Sequence, residues 1–156
     1  MTGNPRESPA RYVTILMADD DEDDCLLAKE ALAENRLANN LYFVNDGEEL
    51  LDYLHNRGKF EDRAQNPRPG LILLDLNMPR KDGREALREI KADPELKSIP
   101  VVILTTSKEE EDIVRSYNLG ANSFISKPVS FDGLIDVMRS LGEYWFGIVE
   151  LPQGTQ

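Results

Sequence analysis

The chain predicts an α/β fold, five parallel strands in one sheet with five helices covering both faces. Three observations carry that expectation. Short apolar runs such as Ile15-Leu16-Met17-Ala18 and Leu71-Ile72-Leu73-Leu74 are bounded by turn signals, as strands buried on both faces are. Between the runs lie stretches whose apolar residues recur at spacings of three and four, the helical period. The two patterns alternate from one end of the chain to the other.

Tyr12 to Ala18 is the first expected strand. Asp21 to Arg36 follows as a helix with Cys25, Ala28 and Leu32 on one face. Leu41 to Val44 is the second strand, and Asn45-Asp46-Gly47 turns it into a helix with Leu50, Leu51 and Leu54 inward. Asn56 to Gly70 contains Pro67 and Pro69 and reads as a long loop with room for a brief helical turn. Leu71 to Asp75 is the third strand. Gly83 to Ala92 is a helix stopped by Asp93-Pro94, because the residue before a proline is pushed out of the helical region. Val101 to Thr105 is the fourth strand, and Lys108 to Leu119 a helix with Gly120 as its left-handed stop. Ser123-Phe124-Ile125 is the fifth strand, and Ser130 to about Phe146 the last helix.

A length of 156 residues suits one domain with a sizeable core. The expected division is a lead-in over 1–11, a domain over 12–146 and a C-terminal arm over 147–156, with no output domain after it. A net charge of −11 argues against a nucleic-acid surface, which needs clustered Lys and Arg. Cys25 is the single cysteine, so no internal disulfide forms and a cytoplasmic location is expected. No apolar stretch approaches the roughly 20 residues of a membrane span.

The chemistry concentrates at strand ends. Asp19-Asp20 follow the first strand, Asp75 closes the third, Thr105 closes the fourth and Lys127-Pro128 follow the fifth. Ligands of open parallel sheets bind just beyond the carboxyl ends of strands. Asp19, Asp20 and Asp75 are therefore expected within a few ångströms of one another. Carboxylates that close repel unless a cation sits among them, and oxygen ligands with room for water suit Mg2+. Glu22, Asp23 and Asp24 are read as an acidic first helical turn facing the helix dipole. That reading also extends to Asp19 and Asp20 but leaves their strand-end place unexplained. An aspartate flanked by Mg2+, an ammonium and a hydroxyl is set up as a nucleophile toward a phosphoryl group.

These residues resemble the receiver domains of two-component response regulators, and among them the single-domain regulators that partner bacterial phytochromes. The likeness runs from about Val13 to Leu151. It implies a doubly wound, flavodoxin-like sheet in the order 2-1-3-4-5. It implies Mg2+ on Asp19, Asp20, Asp75 and the Asn77 carbonyl, with Mn2+ or Ca2+ as substitutes; Asp20 binds directly and Asp19 mainly through water. Asp75, in Leu73-Leu74-Asp75-Leu76-Asn77-Met78-Pro79, matches the phosphoacceptor. Thr105 matches the switch hydroxyl, Lys127 the family's lysine and Phe124 the aromatic switch position. Asn77 and Ser107 fall where the family tunes the lifetime of the phosphoaspartate.

The implied protein is a signalling switch, not an enzyme, with only slow self-phosphorylation and self-dephosphorylation. Its phosphoryl donor is a sensor histidine kinase, with a bacterial phytochrome as the candidate. Its output is a changed surface over the fourth helix, fifth strand and fifth helix. His55 falls on a surface helix, so the kinase supplies the phosphohistidine.

The last helix carries Phe131, Leu134, Met138, Leu141 and Trp145 at spacings of 3, 4, 3 and 4, a coiled-coil-like seam. Its first half is expected on the sheet. Met138, Leu141, Trp145, Phe146, Ile148 and Val149 are the expected homodimer contacts. Two alternatives stand beside the switch: a Mg2+-dependent aspartyl-phosphate phosphohydrolase and a scaffold that never sees phosphate. The hydrolase needs an acid two positions after the nucleophile, where Asn77 stands.

Overall fold

The computed structural model of the chain describes residues 14–33, 41–76, 78, 81–105, 123–127 and 132–133. The elements in order are β1 (Ile15–Ala18), α1 (Glu22–Ala33), β2 (Leu41–Val44), α2 (Gly47–Leu54), a 3-10 turn (Gly58–Phe60), β3 (Leu71–Asp75), α3 (Gly83–Ala92), β4 (Val101–Thr105) and β5 (Ser123–Ser126). The expected fourth helix lies outside the described residues, as does the expected fifth helix apart from Asp132 and Gly133. So do Asn77, Ser107, Pro128 and the six expected dimer contacts.

The strands form one parallel sheet in the order β2-β1-β3-β4-β5, the order the resemblance implied. β1 to β2 steps one way along the sheet, while β2 to β3 and β3 to β4 step the other way. Right-handed crossovers then put α1 on one face and α2 with α3 on the other. Burial agrees with that division. Leu16, Ala18, Ile72, Leu74, Val101 and Ile103 join Leu50, Leu51, Ala86, Leu87 and Ile90 in one core. The alternate strand residues Ile15, Met17, Leu71, Leu73, Val102 and Leu104 are also fully buried, as is Ala28 of α1. A sheet buried on both faces has no polar alternation, which is why its strands read as unbroken apolar runs.

Helix starts follow from side-chain caps. Asp46 accepts a hydrogen bond from the Glu49 N–H at 2.8 Å, and Asp82 accepts one from the Arg84 N–H at 2.6 Å. At α1, Asp21 accepts from the Asp23 and Asp24 N–H groups. The stretch after α2 is an ordered cover. Asn56 takes a left-handed φ of 53° and its amide donates to the Phe60 and Asn66 carbonyls. That cover buries Tyr53, whose hydroxyl donates to the Pro67 carbonyl at 2.9 Å and whose ring meets Phe60. Leu54, expected inward, is half-buried against the same core. Among the described residues no helix is long and apolar enough to cross a membrane.

Candidate functional site

The register brings the strand ends together. Ala18 pairs with Leu74, so Asp19 comes level with Asp75. Thr105 pairs with Ser126, so Thr105 ends β4 beside the residue preceding Lys127. Asp19 continues the β1–β2 ladder by donating its N–H to the Val44 carbonyl. Its Oδ1 accepts from the Asp21 N–H at 2.9 Å, a tight turn that fixes the carboxylate. Asp19 is 0% exposed and Asp75 6%, while Asp20 lies on the surface. Carboxylate oxygens of these three residues all lie within 4.8 Å of one another.

Lys127 reaches the cluster from β5. Neighbouring strands lie about 4.8 Å apart, so its amine spans the width of β4 to meet β3, which only a long side chain can do. Its Nζ lies 3.0 Å from Asp75 Oδ2, 3.0 Å from Asp19 Oδ2 and 2.8 Å from Asp24 Oδ2. The contacts with Asp24 and Asp75 are hydrogen bonds. The contact with Asp19 is an ion pair without hydrogen-bond direction, so the buried Oδ2 of Asp19 receives no directed donor.

Electrostatics follow from burial and crowding. Burial pushes the Asp19 carboxyl up to about 6; the Asp21 N–H and the nearby Lys127 ammonium oppose it, and the Asp75 charge adds to it. Burial works against the Lys127 ammonium, but its contacts with Asp24, Asp75 and Asp19 outweigh that and hold it above its ordinary value. Cys25, whose thiol lies 3.7 Å from the Asp19 carbonyl, is pushed up to about 12 by burial and then by Asp19, Asp24 and Asp21.

The donor set fits a hard divalent cation. It is all oxygen, two of the three carboxylates are buried, and one buried oxygen lacks a directed donor. The backbone around Asp75 is held closely from below. A Cβ at Gly83 would stand 2.5 Å from the Asp75 carbonyl oxygen, and the Gly83 N–H donates to the Leu76 carbonyl. Only glycine lets α3 start this near the end of β3.

Asp19, Asp20, Asp75 and Lys127 are thus brought together, and the backbone of Thr105 ends at the same rim. Phe124 lies on β5 opposite Ile103, half-buried against the core. The sequence expectation leaves Asp24 facing only the helix dipole, whereas the structure places it on Lys127. Its place one helical turn after a strand-end acid was the available signal. Glu22 and Asp23 are exposed, as a dipole-facing turn requires. His55 stands outside the cluster, with Nε2 3.6 Å from Asp93 Oδ2.

An acidic triad and a lysine at the switch point of a 2-1-3-4-5 sheet define the receiver class, and comparison agrees. The response regulator receiver domain family matches residues 15–139, and the chain belongs to that family. Response regulator Rcp1 from Synechocystis sp. is 41% identical over 88% of this chain and 92% of its own. The Mn2+-bound form of Rcp1 covers 90% of this chain and 99% of its own, with a TM-score of 0.67. Bacteriophytochrome response regulator RtBRR is 40% identical, covers 90% of this chain and 84% of its own, and has a TM-score of 0.79. The phosphorylated cyanobacterial phytochrome response regulator RcpA is 42% identical, with coverages of 90% and 99% and a TM-score of 0.69. The protein is a response regulator related to phytochrome response regulators, a signalling protein and not a classical enzyme.

Proposed function

We propose that this regulator takes a phosphoryl group onto Asp75 from the phosphohistidine of a sensor histidine kinase, in a Mg2+-dependent reaction. One observation carries the reading. Carboxylates of Asp19, Asp20 and Asp75 converge within 4.8 Å, and the Lys127 ammonium stands 3.0 Å from Asp75 Oδ2. An Asp75 oxygen attacks phosphorus in line. A P–O bond forms as the P–N bond to imidazole breaks, and the imidazole keeps the electron pair. Such transfer depends on positioning and on neutralising the equatorial oxygens. Mg2+ on Asp19, Asp20, Asp75 and the Asn77 carbonyl supplies much of that neutralisation when bound, with Mn2+ or Ca2+ as replacements.

Lys127 and the Thr105 hydroxyl each take a phosphoryl oxygen through charge-assisted hydrogen bonds. Thr105 moves inward, Phe124 rotates into the space it leaves, and the surface of the fourth helix, β5 and the fifth helix changes shape. Water attack resets Asp75 at a rate tuned by the Asn77 and Ser107 side chains. Self-phosphorylation by small donors is slow. The phytochrome relatives support a bacterial phytochrome as the kinase. The seam at Met138, Leu141, Trp145, Phe146, Ile148 and Val149 supports a twofold homodimer of domains spanning 12–146, joined through the arm over 147–156. The lone cysteine supports a cytoplasmic location.

Asp75→Asn is expected to abolish Mg2+-dependent labelling by a small phosphodonor, read by intact mass. Labelling retained at full extent removes Asp75 from its role.

A further inference from the structure

The Lys127 ammonium lies 2.8, 3.0 and 3.0 Å from three carboxylates, those of Asp24, Asp75 and Asp19, and donates hydrogen bonds to the first two. Two of those carboxylates, Asp19 and Asp75, belong to the triad able to hold a cation; Asp24 does not. The shortest of the three contacts is nevertheless the one to Asp24, on the first turn of α1. Both partners are mostly enclosed, at 13% exposure for Lys127 and 20% for Asp24.

We propose that Asp24 is a positioning residue that holds the Lys127 ammonium on the α1 side of the pocket before phosphorylation, and loosens that hold when Asp75 is phosphorylated. The inference rests on Asp75 being the phosphoacceptor. A phosphoryl group on Asp75 brings new anionic oxygens that compete for the same donors. An interaction stronger in the resting state than in the phosphorylated one biases the equilibrium toward rest by their difference. Because Asp24 is partly solvated, the carboxylate it leaves behind is rehydrated at small cost. The bias is therefore modest: Asp24 tunes the switch and does not block it.

Beryllofluoride with Mg2+ mimics the phosphoryl group and reads the equilibrium directly, followed by amide NMR on the full chain. Asp24→Asn is expected to bind it about three-fold more tightly, and Asp24→Ser likewise. Asp23→Asn removes the same charge from the adjacent exposed position and is expected to leave the midpoint unchanged. Equal or weaker binding by both Asp24 variants overturns the proposal. So does an equal gain in Asp23→Asn, which would trace the effect to net charge. If the parent protein binds no beryllofluoride, the phosphoacceptor reading itself fails. Parent binding with unmoved Asp24 variants sinks the Asp24 inference alone.

Discussion

Asp19 and Asp46 sit one and two residues past neighbouring strands, and both are buried, at 0% and 6% exposure. Both accept a backbone N–H just downstream, from Asp21 at 2.9 Å and from Glu49 at 2.8 Å. The Asp46 turn closes on itself, because Glu49 reaches back to accept the Asn45 N–H at 2.9 Å. It begins a helix and is a cap. In the Asp19 turn Oδ1 serves the backbone, while Oδ2 faces the Lys127 ammonium without a directed hydrogen bond. Residue type is the same at the two places, and at each the carboxylate accepts a nearby backbone N–H. What differs is the strand beside them. β2 is an edge strand, whereas β1 borders β3 at the point where the chain reverses its direction across the sheet. Asp75 and Lys127 therefore meet beside Asp19, while Asp46 caps α2.

The largest test removes the charge that marks the Asp19 side. With saturating Mg2+, Lys127→Ala is expected to slow labelling of Asp75 by about 100-fold, the usual cost of deleting one donor to a developing anion. Stopped-time labelling read by intact mass gives the rate. A rate within a few-fold of the parent would mean that the ammonium is structural, and the two turns would differ less than their surroundings suggest.

The second test titrates Asp19. Its carboxyl lies at about 6 in the folded protein against an ordinary 3.8, so the fold holds this proton more tightly than the unfolded chain does. Without a divalent cation, stability therefore falls as pH rises from about 4 to about 6, and the full cost stands above that. Asp19→Asn avoids the buried charge. In chelator at about pH 7.5 it is expected to be more stable than the parent, on the order of 2 kcal/mol by urea unfolding, with the gain gone by about pH 4. Mg2+ needs the ionised carboxylate, so the rise in Tm it gives the parent is expected to fade below about pH 6. If the Asn variant is less stable than the parent in chelator at neutral pH, the ion pair with Lys127 outweighs burial and the account of Asp19 is wrong.

How much of this was legible in the sequence depends on which contacts are local. The limits of α3 and β4 agree residue for residue, because a proline stop and a two-sided apolar run are written in the chain itself. Among the described residues β1 starts at Ile15; Tyr12 and Val13 of the expected strand lie outside them, and the Thr14 carbonyl is taken by the Gly70 and Leu71 N–H groups. β5 runs one residue longer than expected, to Ser126. The convergence of Asp19, Asp20, Asp75 and Lys127 followed from a topological rule, since strand ends of a parallel sheet share one rim. Asp24 was legible only as a weak signal, its place one helical turn after a strand-end acid. A first-turn acid has a sufficient local reason to exist, and its partner lies 103 residues away. The burial of Tyr53 was hidden for a related reason: the cover over it is built by the Asn56 amide, in a segment rich in turn residues.

The smallest effect is expected where the comparison began. Asp46→Ala removes the acceptor for the Glu49 N–H and leaves the first turn of α2 uncapped, which costs about 1 kcal/mol at such positions. Gly47 next to it allows no relief by movement: its N–H donates to the Lys81 carbonyl, and a Cβ there would collide with the same oxygen. The loss is thus expected in full, as a lowered urea midpoint with an unchanged slope. Labelling of Asp75 is expected within two-fold of the parent (a difference on the order of 0.4 kcal/mol), because the Asp46 carboxylate serves the Glu49 N–H at the start of α2 while Lys127 meets Asp19, Asp24 and Asp75. Urea unfolding and phosphodonor labelling on one preparation separate the outcomes. A stability loss without a rate loss keeps Asp46 as a cap. A rate loss larger than the stability loss would extend the functional rim across β2, and the edge strand would then belong to the site.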